Sequence, residues 1–403
     1  MTEPQLRHQP RSHGNGALAK LVTGHICIHG SMAGLRLAAP LWALREGYSP
    51  FWVGVLLALF SLTQVFLAIP AGRYADRHGL RRPVGLAVVV ASLGASAGVV
   101  WPHFGVLCFS ALCMGGATGA ASIALQRHVG RAARDATELK QVFSWLSIGP
   151  AVSNFFGPVM AGVLIDHAGV WLGGTPADLN GFRIAFLFSA VLPLLTWLWV
   201  RDAEELAPVE PAPGSARSQL LQLVLEPRMR RLLLVNWLLS SCWDVHTFVV
   251  PVLGHERGLS ASTIGAILGA FAVAAACVRV AMPMVAAHLR EWVVVSVAML
   301  VTGALFAAYP FLHSPWAMTA CSVCLGFSLG SVQPMIMSTL HQITPHAQHG
   351  QALGLRLMSI NLSSVIMPML FGTAGLVVGV SAIFWTVGAA VALGARAAWR
   401  LRP

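Results

Sequence analysis

Long apolar runs follow one another through nearly the whole of this 403-residue chain, with only short polar segments between them. By number they cover 18–44, 51–71, 83–101, 104–125, 142–165, 182–200, 232–253, 260–287, 292–309, 315–340, 352–375 and 377–399. A helix needs about 20 apolar residues to cross a hydrocarbon core, and in lipid such a segment must satisfy its own backbone hydrogen bonds. The sequence therefore predicts an all-α membrane protein with twelve transmembrane helices.

Composition excludes the main soluble classes. Hydrophobic residues make up 56% of the chain and charged residues only 10%, which is far from the average of water-soluble domains. The net charge of +11 does not indicate nucleic-acid binding, because the basic residues lie in short loops and are not gathered on one surface. We expect the apolar surface of the protein to contact the lipid bilayer, and we expect no nucleic-acid partner.

The basic residues also predict the orientation of the helices, because Lys and Arg favour the cytoplasmic ends of spans. With the amino terminus inside, most of the 26 basic residues fall on the cytoplasmic side, and Arg45, Arg183 and Arg257 fall outside. A miscount by one span would destroy this asymmetry. We therefore expect an inner-membrane protein with both termini in the cytoplasm.

The longest polar break divides the apolar runs into two sets of six. We expect a cytoplasmic tail at 1–17, an amino-terminal half at 18–200, a flexible cytoplasmic linker at 201–231, a carboxy-terminal half at 232–399 and a short tail at 400–403. Pro158 and Gly162 in the fifth run share their spacing with Pro368 and Gly372 in the eleventh, which indicates an internal repeat. Repeated six-span halves are typical of secondary transporters, whose solute site lies between the repeats.

The loop between the second and third runs carries the most specific motif, Gly72-Arg73-Tyr74-Ala75-Asp76-Arg77-His78-Gly79-Leu80-Arg81-Arg82. Its glycines permit a tight turn, and Asp76 can accept hydrogen bonds from a helix amino terminus or a neighbouring Arg. The motif resembles the G-x-L-A-D-R-x-G-R-R signature of the major facilitator superfamily. The matching residues are Gly72, Asp76, Arg77, Gly79, Arg81 and Arg82. The resemblance implies the fold of that family, alternating access and a cytoplasmic latch at this loop; a positively charged loop with turn glycines is the alternative.

The fifth run carries a second motif. Gly149 and Pro150 precede Gly157-Pro158-Val159-Met160-Ala161-Gly162, which resembles the G-P-x-x-G-G signature of the family's exporters, with Ala161 in place of a glycine. Small residues let helices approach closely, and proline bends a helix. This resemblance implies export. The fourth span departs from the exporters' pattern, because Ala111 stands near the place where many exporters of the family carry an Arg.

Asp244 lies well within the seventh apolar run. An ionised side chain near the centre of a span costs at least about 2.5 kcal/mol, so such residues are functional candidates. Ser240, Asp244, Thr247 and Pro251 lie on one helical face. Because proton coupling needs an acid that gains and loses a proton, we predict Asp244 to be the coupling residue; the alternative is that it pairs with an Arg to fix packing.

The other polar side chains within the runs are predicted to line the solute pathway. They are His25, His29, Arg36, Gln64, Asn154, Asn236, Arg279, Gln333 and Asn361. His25 and His29 are one turn apart and could hold a metal, but no third ligand stands at a meaningful spacing, so we expect cavity lining and no metal. Within the spans, two cations, Arg36 and Arg279, outnumber one anion, Asp244, so the net charge of the interior is positive. A positive interior favours a solute with a carboxylate or phosphate group.

These features predict a secondary transporter that moves a small organic solute by alternating access, in proton-coupled efflux. The alternative is uptake or facilitated diffusion of an organic anion. A membrane-embedded enzyme or receptor is the least favoured class, because the break at 201–231 is too short for a sensor domain. We expect the partners to be an anionic or amphipathic small molecule and protons, with no cofactor, and we expect a monomer.

Overall fold

The computed structural model describes residues 15–132, 136–205, 225–285, 289–344 and 349–402. Within these ranges the chain forms long α-helices, one short 3-10 helix and no strand. The first half contains α1 (Asn15–Arg45), α2 (Pro50–His78), α3 (Arg81–Val100), α4 (Phe104–Ala132), α5 (Ala136–Trp171) and α6 (Leu179–Val200). The second contains α7 (Pro227–Glu256), α8 (Ala261–Val285), α9 (Glu291–Ala308), the 3-10 helix Tyr309–Phe311, α10 (Pro315–Ile343), α11 (His349–Val378) and α12 (Val380–Trp399).

Ten of the described helices are long and apolar enough to cross a membrane. The other two are α1 and α5, which are 31 and 36 residues long. Their length suffices for a span. Each also carries polar side chains within its length, such as His25 and Arg36 in α1 and Asn154 in α5. The predicted all-helical membrane fold is confirmed.

The two halves are built alike. In the first half α1 packs against α5 and α6, and α3 packs against α4 and α6. The second half repeats this arrangement six helices later, with α7 against α11 and α12 and α9 against α10 and α12. The halves meet through two equivalent pairs, α2 with α11 and α5 with α8. The main interface between the halves thus has the same pseudo-symmetry as the halves themselves.

The helices alternate in direction, so the bundle has two ends. We name the end at which α1 begins the proximal end and the opposite end the distal end. Because twelve helices alternate, α12 finishes at the proximal end, where α1 began. Asp244, which lies past the midpoint of α7, is therefore separated from both ends by several turns of helix.

Glycines bring the halves into backbone contact at the distal end. Gly265 near the start of α8 packs against the carbonyl group of Pro158 in α5. In the equivalent pair, Gly54 near the start of α2 packs against the carbonyl group of Pro368 in α11. A side chain at either glycine would collide with the opposite backbone, so the close approach depends on small residues. The two halves therefore meet backbone to backbone near the distal end, and we call these two contacts the distal closure.

A carboxylate reinforces this closure. Asp166 near the end of α5 accepts hydrogen bonds from the backbone N–H groups of Ala261 (3.2 Å) and Ser262 (2.7 Å), the first residues of α8. The amino terminus of a helix has N–H groups without intrahelical partners and a partial positive charge, so a carboxylate there is stabilising. Asp166 therefore caps a helix of the opposite half.

Asp166→Ala is expected to weaken the distal closure by about 0.5–2 kcal/mol, the usual effect of losing a helix cap. The amides of the first turn of α8 should then exchange faster in hydrogen–deuterium exchange. Asp178→Ala is the matched control, because Asp178 caps α6 within its own half by accepting from Gly181 N (2.8 Å). That variant should speed exchange at α6 and leave α8 as in the wild type. Equal protection of α8 in Asp166→Ala and the wild type would contradict the role assigned to Asp166.

Candidate functional site

Asp244 is buried in the second half, with 5% of its surface exposed. Its two carboxylate oxygens accept hydrogen bonds from Ser363 Oγ (2.9 Å) and Ser364 Oγ (3.0 Å) of α11. Thr247, which lies on the same predicted polar face of α7, does not bind the Asp244 carboxylate. Its hydroxyl donates to the Trp243 carbonyl of its own helix (3.0 Å). The two serine hydroxyls give both oxygens of this buried acid a hydrogen-bond partner. Asp244 thus joins α7 to α11 through charge-assisted hydrogen bonds.

Arg36 of α1 faces this acid from the other half. It lies close enough to Asp244 for the two charges to interact. Its guanidinium group has no hydrogen bond or ion pair with any residue that the structure describes. The attraction between Arg36 and Asp244 therefore exists only while Asp244 is ionised.

A cavity of about 70 Å³ lies between the two halves beside Arg36. Its polar lining comes from Arg36, Asn154 and Thr247, and its aromatic lining from Trp243 and Phe271. The remaining lining is mostly aliphatic. Helices α1, α2 and α5 of the first half and α7 and α8 of the second contribute to it. The cavity thus has the position and mixed chemistry of a solute site between repeats, and in this structure it is smaller than a site of about 300–1,000 Å³ that encloses a drug-sized molecule.

Two further arginines lie in the second half. Arg279 of α8 is half-buried, and its guanidinium carbon is 5.4 Å from the centroid of the Trp243 ring. Arg356 of α11 is buried and donates a hydrogen bond to Gln333 Oε1 of α10. The structure thus brings Arg279, Gln333 and Arg356 into the same half as Asp244. The sequence placed Arg279 and Gln333 in spans but did not show that Arg356 contacts Gln333.

His25 and His29 of α1 are placed together, with ring centroids 5.9 Å apart in an edge-on arrangement. His25 Nε2 is 3.1 Å from Ser122 Oγ of α4, and Gly149 of α5 packs against the His25 ring. Among the described residues, no hydrogen bond is formed to the buried Nδ1 atom of either histidine. Among the described residues no group of three side chains is arranged to hold a metal ion. These histidines pack between α1, α4 and α5, away from any described contact with Asp244.

Three of the predicted lining residues stand apart from the Asp244 cluster. Gln64 of α2 is half-buried and donates to the Phe60 carbonyl of its own helix (3.4 Å). Asn236 of α7 is buried, and its Nδ2 atom has no partner. Asn361 of α11 is half-buried. None of the three forms a hydrogen bond with Asp244 in the described structure.

A buried polar network in the second half was missed from the sequence. His246 Nε2 is 2.9 Å from Ser322 Oγ, and the hydroxyl of Tyr309 is 2.9 Å from the same oxygen. The His246 ring stacks on Phe271 at 4.1 Å. His246 therefore faces away from Asp244, as its position two residues further along the helix suggests. Ser322 lies between two cysteines of an apolar run, so no local pattern indicates its partners.

The motif of the fifth run lies at two helix interfaces. Gly157 packs against the backbone of Gly30 and Gly34 in α1, and Gly162 packs against the backbone of Ala261 in α8. Pro158, between them, is the contact of Gly265 across the halves. The motif therefore packs α5 against its own half on one side and against the opposite half on the other.

The loop motif between α2 and α3 binds the segment that follows α6. The Glu205 carboxylate accepts from the backbone N–H groups of Leu80 (2.7 Å) and Arg81 (2.6 Å), at the start of α3. The Arg81 guanidinium donates to the Ala203 carbonyl at 2.6 and 2.9 Å. Gly79 supplies the turn with a φ of +75°, a conformation that favours glycine. These contacts join the loop to the first residues of the segment that links the halves, and involve no residue of the second half.

The remaining residues of the loop motif lie nearby. Gly72 is half-buried in the last turns of α2, and Arg77 and Arg82 are exposed. Asp76 belongs to α2, but its side chain lies outside the described residues. The role of this loop as a latch between the halves stays a prediction.

Glu205→Gln is expected to lower the free energy of unfolding by about 0.5–2 kcal/mol, because it removes the negative charge from the start of α3 and leaves only one side-chain acceptor oxygen for two N–H groups. The melting temperature in detergent would report this change. Glu204→Gln serves as the control, since Glu204 is exposed and has no hydrogen bond in the described structure. If the two variants had the same melting temperature, Glu205 would not be a stabilising cap.

Two six-helix halves with a partly polar cavity between them define the class of protein, a membrane transporter and not an enzyme. Comparison with known families gives the same result: the model of the Major Facilitator Superfamily matches residues 21–287 and 232–403. The chain belongs to the Major Facilitator Superfamily.

Individual relatives are distant. The chain is 27% identical to the tetracycline resistance protein, class E, of Escherichia coli, over 79% of this chain and 77% of that protein. It is 31% identical to the efflux pump azaK of Aspergillus niger over 34% of this chain and 29% of that protein. Among solved structures, a POT family transporter in complex with a thioalcohol-conjugated peptide superposes with a TM-score of 0.77 at 13% identity, covering 94% of both chains. The structural likeness establishes the fold.

Proposed function

We propose that this transporter exports a small organic solute in exchange for protons, and that Asp244 carries the proton. The observation that supports this proposal is the environment of Asp244. It is a buried acid held by Ser363 and Ser364 in its own half, with the unpaired cation Arg36 approaching from the other half. An acid between two rigid bodies can convert a protonation step into a change in their relative position.

The coupling would act through charge. While Asp244 is ionised, it attracts Arg36 and so favours the arrangement in which the two halves meet around the cavity. Protonation removes this attraction and replaces one acceptor oxygen by a donor, so that one of the two serine hydroxyls must turn. Even about 2 kcal/mol of lost attraction changes a two-state equilibrium about thirtyfold. A proton taken up at Asp244 would therefore favour a different arrangement of the halves.

Two observations support export. The fifth-run motif resembles that of exporters in the family, and relatives are named as a tetracycline resistance protein and an efflux pump. The amphipathic lining of the cavity, with Trp243 and Phe271 beside Arg36 and Asn154, suits a molecule with an aromatic or aliphatic body and polar groups. Loop charges favour the proximal end as the cytoplasmic end. The solute would then enter from the proximal end.

The experiment uses everted membrane vesicles whose interior has been acidified, with the internal pH read by a pH-sensitive dye. Adding tetracycline, the compound in the name of a relative, or another amphipathic solute should release protons from vesicles that contain the protein. Vesicles without the protein should not respond. If no solute in a broad panel moves protons, while labelled solute still accumulates or leaves, the protein is a transporter without proton coupling.

Uptake of an organic anion is the second candidate. Three arginines of the interior form no ion pair with a described carboxylate: Arg36, Arg279 and Arg356. Because these charges are positive, they favour an organic anion over a cation as the solute. Measuring the intracellular level of the solute separates the two directions: expression of the protein lowers that level for an exporter and raises it for an importer.

A further inference from the structure

Arg279 and Arg356 form a pair of like charges without a counter-ion. Arg356 donates to Gln333 of α10, and about one turn before Gln333 the same helix packs through Gly330 against Val278, the neighbour of Arg279. Neither guanidinium forms an ion pair with any carboxylate in the described part of the chain, and the Nε atom of each is buried without a hydrogen-bond partner. Two neighbouring, poorly solvated cations are unfavourable unless an anion joins them. The fold therefore holds these charges together at a cost that a bound anion would offset.

The packing of α8 against α10 brings the two arginines to the same region. Gly330 of α10 packs against Ala275 and Val278 of α8, next to Arg279. Gln333 lies about one turn further along α10 and accepts from Arg356 of α11, which fixes that guanidinium while leaving its Nε free. Helices α8 and α11 of the same half thus direct cations to the same part of α10.

An aromatic side chain connects this pair to the cavity between the halves. The Arg279 guanidinium lies over the Trp243 ring, and Trp243 also lines the cavity beside Arg36. Phe271 packs edge-on against Trp243 at 4.6 Å and lines the same cavity. A ligand that places an anionic group at the arginines can therefore place an apolar, ring-shaped body against Trp243.

We propose that Arg279 and Arg356 are an anion subsite, which binds the carboxylate or phosphate group of an amphipathic, aromatic solute whose body lies against Trp243. Guanidinium groups bind such groups through charge-assisted and often bidentate hydrogen bonds. This proposal rests on the proposed function, because it takes the cavity between the halves to bind the transported molecule. It adds the chemical class of that molecule. It does not depend on proton coupling or on the direction of transport.

The test measures binding to the purified full-length protein by titration calorimetry with three probes: 1-naphthoate, 1-naphthyl phosphate and the neutral 1-naphthamide. The two anions should bind more tightly than the amide. Arg279→Gln and Arg356→Gln should each weaken the binding of both anions about tenfold or more, since each removes a charged hydrogen bond, and leave the affinity for the amide within about twofold. Arg290→Gln, which removes an exposed charge at the proximal end of the same half, is the matched control and should bind all three probes as the wild type does.

Stability separates binding from a structural role. Because each substitution removes one of two repelling charges, both variants should melt at or above the wild-type temperature without ligand. Arg356→Lys, which keeps the charge, should retain part of the anion affinity. The proposal is overturned if the wild type binds anions and amide equally, or if the glutamine variants bind the anions as tightly as the wild type. Loss of stability together with an equal loss for all three probes would make the arginines structural.

An anionic lipid headgroup has the same chemistry as the solute's anionic group, so the titrations are repeated in nanodiscs. With phosphatidylcholine alone and with one-third phosphatidylglycerol, naphthoate affinity should be unchanged. A fall of about tenfold in the anionic discs that disappears in Arg356→Gln would assign the subsite to lipid and overturn its assignment to the solute. These are binding measurements, so they do not depend on proton transport. If the protein binds naphthoate through the arginines but moves no protons, the anion subsite is supported and the proton-coupled mechanism is contradicted.

Discussion

Asp244→Asn is expected to abolish proton-driven transport while leaving the protein folded and able to exchange solute. The amide has the size of the carboxyl group and can still accept from Ser363 or Ser364, but it cannot gain or lose a proton at physiological pH. In reconstituted vesicles, uphill transport driven by a proton gradient should fall to the level of protein-free vesicles. Exchange of labelled for unlabelled solute across the same membrane should continue, because it needs the halves to move but needs no net proton.

Two comparison variants make this result specific. Asp244→Glu keeps a titratable group and should retain part of the proton-driven transport. Asp202→Asn removes an exposed acid at the proximal end of α6 and should transport as the wild type does. Full proton-driven transport by Asp244→Asn would show that the proton binds elsewhere, whereas loss of both uphill transport and exchange would assign Asp244 to folding or solute binding.

The sequence was sufficient for the fold because its signals are local and strong. Runs of span length, loop charges and the repeated spacing of Pro158 with Gly162 and Pro368 with Gly372 predict two similar halves. Asp244 could be singled out for the same reason, since an acid in an apolar run is costly wherever the chain folds. Each of these inferences concerns one segment and the solvent that surrounds it.

The partners of Asp244 could not be predicted in this way. Ser363 and Ser364 meet it only because α7 and α11 pack together, and serine is common enough in spans that neither stands out. The cap that Asp166 places on α8 likewise needs the relative position of the halves. Arg279 and Arg356 were visible as rare charges, but their proximity depends on how α8, α10 and α11 pack. Contacts between distant segments are a property of the three-dimensional structure that sequence periodicity does not contain.

Gly265→Leu is expected to open the distal end and slow transport at least about tenfold. The new side chain would collide with the backbone carbonyl of Pro158, which cannot move aside as a flexible side chain can. Overpacking of this kind costs about 1–3 kcal/mol, which shifts a two-state equilibrium about five- to a hundredfold away from the closed distal end. Because alternating access requires both arrangements, the closed one must be reached in each cycle.

The shift is measured as the distance between spin labels on Leu172 and Phe311, which are exposed at the distal ends of opposite halves. Each is replaced by Cys in a background in which the exposed Cys277 and Cys324 are Ser. Gly265→Leu should populate longer distances than the wild type.

Gly105→Leu is the control for the effect of a leucine at the distal end, because a side chain there would meet only the His103 ring, at 3.7 Å. It should leave both the label distances and transport unchanged. A normal distance distribution in Gly265→Leu would mean that the α5–α8 contact tolerates a large side chain, and the closed distal end would then not depend on its glycines. If the distances lengthened while transport stayed at the wild-type rate, closure of this end would not limit the cycle, and Asp244 would have to be coupled to a different step.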